Sequence, residues 1–126
     1  MQIADDQTSE PALAALGYEA VQLLCSGEIA ALAARFGYAL ASDRQPVSAI
    51  QEDLASCLVQ LQATGLAGSQ KPLVTVIFFE PNASSLFASI ECVAPTIHGQ
   101  GVLVELVVTY TGTRKHVVLE QPSAAV

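Results

Sequence analysis

Apolar residues recur at helical spacing through the first half of the chain and at strand spacing through the second. Leu13, Leu16, Ala20, Leu23 and Leu24 fall three or four apart and predict one amphipathic helix, opened by Pro11 in its first turn and ending near Ser26-Gly27. A shorter helix follows, with Ile29, Leu32, Ala33 and Phe36 on its inner face, Ser26 as its cap and Gly37 as its stop. After the polar break Ser42-Asp43-Arg44-Gln45, Pro46 opens a third helix. Val47, Ile50, Leu54, Cys57, Leu58 and Leu61 mark its apolar side, and its end is expected at Gly65. The run Thr64-Gly65-Leu66-Ala67-Gly68-Ser69 reads as a connector, and beyond it the period changes.

From Leu73 the chain is rich in Val, Ile, Phe and Thr. It is interrupted at Pro81-Asn82-Ala83-Ser84, at Pro95 to Gly101 and at the hairpin turn Thr111-Gly112-Thr113. Strands are therefore predicted at about 73–80, 85–94, 102–110 and 114–120, joined as an antiparallel meander. The fold class is α+β: three N-terminal helices packed on a curved, cone-like, four-stranded antiparallel sheet. One domain is expected over 1–126, ordered over about 11–120, with loose tails at both ends.

Two of these strands each carry a central glutamate: Glu91 in Ser89-Ile90-Glu91-Cys92-Val93-Ala94 and Glu105 in Leu103-Val104-Glu105-Leu106-Val107-Val108. A loop centred on His98 sets Glu91 opposite Glu105. Like charges so opposed destabilise a sheet unless something compensates. Alternation then gives a mixed face with Val74, Val76, Phe78, Phe87, Ser89, Glu91, Leu103, Glu105, Val107, Thr109 and His116 or its neighbour. The other face, with Leu73, Ile77, Ala88, Ile90, Cys92, Val104, Leu106 and Val108, is nearly all apolar. Two arrangements satisfy the pattern. In the preferred one, the mixed face curls around a pocket closed by the helices and the apolar face meets a second subunit. In the other, the apolar face packs on the helices and the mixed face is exposed or makes a polar dimer contact.

Composition narrows the possible partners. Apolar residues make up 52% of the chain and charged ones only 13%, so some apolar surface is expected between subunits. With five Lys and Arg against twelve Asp and Glu, a formal charge of −7, the chain lacks the clustered cations that nucleic acid or an anionic membrane needs. Neither a signal peptide nor a stretch long enough to span a bilayer is visible. Cys25, Cys57 and Cys92, odd in number and set in apolar patterns, read as buried reduced thiols and point to the cytoplasm.

Candidate chemistry is sparse. Glu91 and Glu105 in an apolar pocket would be an acid–base pair sharing a proton, or would contact a ligand, or would be structural. His116 beside Glu105 is a candidate general base, whereas His98 reads as a residue of an exposed loop. The histidine spacing matches no compact zinc pattern, so no metal and no cofactor are expected. Gly99-Gln100-Gly101 and Gly65-Leu66-Ala67-Gly68 are turns rather than phosphate loops, since neither opens a helix, and no nucleophile-elbow motif occurs.

The segment from Leu16-Gly17-Tyr18-Glu19 through Ser26-Gly27-Glu28-Ile29 to Ala34-Arg35-Phe36 resembles the two opening helices of nuclear-transport-factor-2-like, or SnoaL-like, cone-shaped domains. There a long helix ends at a small residue, an acidic residue follows, and a short helix closes on an aromatic. The similarity covers roughly residues 11–120, although only Tyr38-Ala39-Leu40-Ala41 is placed to supply the short strand that the family sets before its third helix. It implies a pocket between the helices and the concave sheet face, and a homodimer built on the other face. The expected pocket residues are Glu91, Glu105, Phe78, Phe87, Tyr18 and Tyr38. The expected function is binding of a small apolar or amphipathic ligand. Two alternatives stand beside it: an immunity- or inhibitor-type interaction module with an acidic surface, and an isomerase or hydrolyase using the paired glutamates.

Overall fold

Ser9 opens the helical half: its hydroxyl accepts from the Ala12 amide at 3.3 Å and starts α1 (Glu10–Cys25), with Pro11 in the first turn. This computed structural model describes residues 1–68, 71–97 and 100–125. After α1 the Gly27 amide donates to Leu24 and the Glu28 amide to Leu23, a paired closure that needs the positive φ of Gly27, +77°. Ser26 thus ends α1 rather than capping α2 (Ile29–Phe36), whose N-cap is Glu28. Gly37, at φ +72°, stops α2 as expected. The Gln45 side chain caps α3 (Pro46–Gln60) by accepting from the Ser48 amide at 3.0 Å.

α3 ends before Gly65. The Gln62 amide donates to Val59 and the Ala63 amide to Leu58, repeating the closure of α1 with Gln62 in the left-handed position at φ +53°. The pattern misplaces this end because a non-glycine residue occupies the position that glycine usually marks.

The sheet has five antiparallel strands in the order β1-β5-β4-β3-β2: β1 (Gln2–Ile3), β2 (Leu73–Phe78), β3 (Leu86–Pro95), β4 (Gly101–Thr111) and β5 (Arg114–Ala125). The four-strand expectation missed β1, and the stretches expected as loose tails hold strand residues, Gln2–Ile3 at one end and 121–125 at the other. Ile3 is buried and pairs with Lys115, while the terminal amine of Met1 donates to the Val117 carbonyl at 2.8 Å. β5 runs on past residue 120 and pairs with β4 as far as Ala125. The expectation for His98 falls outside the described residues.

The helices cover one face only. Ala88, Ile90, Cys92, Ala94, Val102, Val104, Leu106, Val108, Val117 and Leu119 point to them and are fully or almost fully buried with Leu13, Leu24, Leu32, Phe36 and Ile50. Each buried Val, Leu, Ile or Phe among them contributes about 1.5–3 kcal/mol relative to exposure. α1 approaches so closely at Gly17 that a Cβ there would lie 2.8 Å from Cys92 Sγ and 2.9 Å from Ile90 Cγ2. This is the second of the two expected arrangements, so the glutamate face does not form a pocket under the helices. No helix among the described residues is long and apolar enough to cross a membrane.

Candidate functional site

Glu91 and Glu105 are direct partners in the β3–β4 register, as their spacing from the intervening loop predicts. Both alternate with buried neighbours, so both stand on the face turned away from the helices, half-exposed. Thr75 of β2 lies opposite Glu91 on the other side. On β5, between the pairs Val104–Pro122 and Leu106–Leu119, two residues, Glu120 and Gln121, oppose the single Glu105. An acidic row therefore crosses the sheet as Thr75, Glu91, Glu105 and Glu120.

Aliphatic rows flank it. On one side run Ile77, Ser89, Val107 and Val118, and on the other Leu73, Val93, Leu103 and Ser123. The Ser89 hydroxyl donates to Glu105 at 3.1 Å and is itself only 5% exposed. Among the described residues no Lys or Arg pairs with Glu91, Glu105 or Glu120; the ion pairs join Arg35 to Glu19, Arg44 to Glu52 and Asp53, and Lys115 to Asp5.

The other expected pocket residues are not gathered around the glutamates. β2 pairs Val74 with Cys92 and Val76 with Ile90, placing both valines on the helix side and Leu73, Thr75 and Ile77 on the acidic side, the reverse of the expected assignment. The register is set by the loop at Asn82, whose side chain bonds the Ser84 and Leu86 amides, and by a bulge between Leu86 and Ala88. Phe78, opposite Ala88, and Phe87, at the bulge, stack edge to face at 5.7 Å, with Phe87 against the core. His116 lies opposite Thr109, four residues along β4 from Glu105 and so about 13 Å away; it is not beside the glutamate.

Tyr18 lines a groove of about 480 Å³ with Val21, Gln22, Cys25 and Pro72. Tyr38 is buried against the far end of the sheet, where it bridges to Leu119 of β5 and donates its hydroxyl to Asp53 of α3. Arg44 closes this cluster. Its guanidinium donates to both Asp53 oxygens at 3.0 and 3.1 Å and to the Leu40 carbonyl at 2.7 Å. The Arg44 contact holds the Asp53 carboxyl below its usual range, aided by Tyr38 and opposed by partial burial. Burial, followed by the bond to Asp53, pushes the Tyr38 phenol above its usual range.

Asp53 and Arg44 form one wall of a cleft of about 450 Å³ between α3 and β5, completed by Ser56, Gln60, Gln121 and Ser123. Sequence reading missed this pair. The polar break Ser42–Gln45 marked a loop, and a lone Asp on a helix face carries no signal that an arginine folds back onto it.

Cys57 and Cys92 are buried as expected, with the Cys92 thiol pushed up to about 12 by burial, but Cys25 is half-exposed. No group of three His, Cys, Asp or Glu among the described residues is arranged to hold a metal ion. No protein-family model, curated protein or solved structure matches the chain.

Proposed function

We propose that the chain is an interaction module whose working surface is the open face of the sheet, and that its partner is a protein presenting cationic side chains in an aliphatic setting. One observation carries this reading: two carboxylates directly opposed across strands, between aliphatic rows, with no Lys or Arg among the described residues to answer them. Such an arrangement costs stability in the free chain and is relieved by a cation from outside. The resemblance of the opening helices to nuclear-transport-factor-2-like domains, which implies a protein–protein contact (there a homodimer) on the face away from the helices, accords with this reading. Three free thiols fit a cytoplasmic setting.

The test is a titration of isotope-labelled protein with a short peptide of alternating lysine and valine, followed by NMR. Shifts are expected at Glu91, Val93, Leu103, Glu105 and Val107, weakening with added salt and in E91Q/E105Q. Shifts confined to the α3–β5 cleft, or none, would overturn the reading.

A second reading is favoured by the Tyr38–Asp53–Arg44 cluster. The cleft beside it lies between helix and sheet, where the family's pocket is expected, and Ser56, Gln60, Gln121 and Ser123 give it neutral hydrogen-bonding groups. It suits a small neutral polar molecule rather than the apolar ligand that the sequence suggests. Acid–base catalysis through Glu91 and Glu105 lacks an enclosed site, because both are half-exposed and neither lines the groove at Tyr18 or the cleft at Asp53.

A further inference from the structure

We propose that β2 is an assembly edge, at which a second copy of this chain adds antiparallel to the sheet in the register that sets Thr75 opposite Thr75. This pairing does not depend on what binds the open face. The sheet's two edges are treated differently. The β5 edge is covered at one end by β1 and farther along by the segment at Tyr38, whose neighbour Ala39 donates to the Leu119 carbonyl at 2.9 Å. β2 pairs with β3 alone, so its outer backbone groups meet no described strand.

Edge strands that remain single are commonly blunted by a charge, a proline, a bulge or brevity. β2 shows none of these. Leu73-Val74-Thr75-Val76-Ile77-Phe78-Phe79 holds no charge, proline or glycine, and its pairing with β3 is unbroken over six residues. Its apolar side chains are open: Leu73 is 70% exposed, Phe78 47%, Phe79 41% and Ile77 39%. Even Val74 and Val76, which face α1, are only partly buried.

The choice of a second copy follows from symmetry and charge. Antiparallel strands related by a two-fold axis normal to the sheet keep their faces aligned, so residues of like parity must meet. With Thr75 on the axis, Leu73 opposes Ile77 of the second copy and Val74 opposes Val76. Lys71 then falls one residue from Glu80 of the second copy, so opposite charges bracket the apolar run at both ends. The same register makes the two acidic rows collinear on one side of a continuous sheet. A face-to-face dimer, by contrast, stacks the acidic rows of two copies against each other.

Two double variants at exposed positions decide the matter by sedimentation and light scattering, with circular dichroism confirming that each is folded. Wild type is expected to be a dimer at micromolar concentration. L73K/I77K sets lysine opposite lysine twice and should weaken association by about tenfold or more, whereas L73K/I77E sets lysine opposite glutamate twice and should retain the dimer. A monomeric wild type overturns the proposal, and so does equal behaviour of the two variants. Neither result bears on whether a cationic peptide binds the open face.

Discussion

Glu91 of β3 lies directly opposite Glu105 of β4 on the sheet face that no helix covers, and among the described residues only the Ser89 hydroxyl donates a side-chain hydrogen bond to the pair. Replacing one charge should therefore stabilise the free chain: E91Q is expected to gain about 0.5 kcal/mol near neutral pH. Urea unfolding at low salt measures it. The gain should shrink in 1 M salt, where the repulsion is screened at about 3 Å. An E91Q chain that is no more stable at low salt would mean that the carboxylates turn apart.

The pairing of these glutamates was legible because one loop separates their strands and the apolar positions on either side alternate without interruption. The strand before them was legible in place but not in facing. The loop at Asn82 and the bulge at Phe87 each shift the count by an amount that no hydrophobic pattern records, so Leu73 and Val74 exchanged faces. β1 was missed for a different reason: two residues have no periodicity, and Ile3 is recognisable as core only once β5 is beside it. The Tyr38–Asp53–Arg44 cluster joins three separate segments through polar side chains, which apolar spacing does not report.

Gly17 is where α1 touches the sheet. An added Cβ would meet Cys92 Sγ at 2.8 Å, Ile90 Cγ2 at 2.9 Å and Val74 Cγ1 at 3.0 Å, and the first two belong to fully buried side chains with little room to retreat. Although alanine is the better helix former, G17A is expected to destabilise by about 1–3 kcal/mol through overpacking. Thermal unfolding checks the sign; a rise in Tm would mean that α1 lifts off the sheet freely.

Gly27 and Gln62 occupy equivalent places after α1 and α3, both with positive φ, but only one is glycine. Q62G should stabilise the fold by about 0.5–1 kcal/mol by removing the left-handed strain, and G27A should destabilise by a similar amount. Opposite shifts in Tm are the expected result, and shifts of the same sign would refute the equivalence.

Asp53 accepts from Arg44 and Tyr38 together, and Arg44 is the larger cause of its lowered pKa. A carboxyl whose folded pKa lies below its unfolded value adds stability at every pH above that unfolded value, about 3.9, and loses it as pH falls through the folded one. D53N, which keeps an oxygen for Tyr38 but removes the charge, should thus be less stable than wild type by a constant margin from pH 7 to pH 5. Below about pH 4 the margin should narrow as Asp53 itself is protonated. Tyr38 gives the opposite arm. Its raised pKa adds stability below about pH 10 that fades as pH rises further, an arm that Y38F should lack. Urea midpoints for the three proteins between pH 3 and pH 11 measure both arms. A D53N deficit that stays constant down to pH 3 would show that the charge of Asp53 is not what ties α3 to the Arg44 loop.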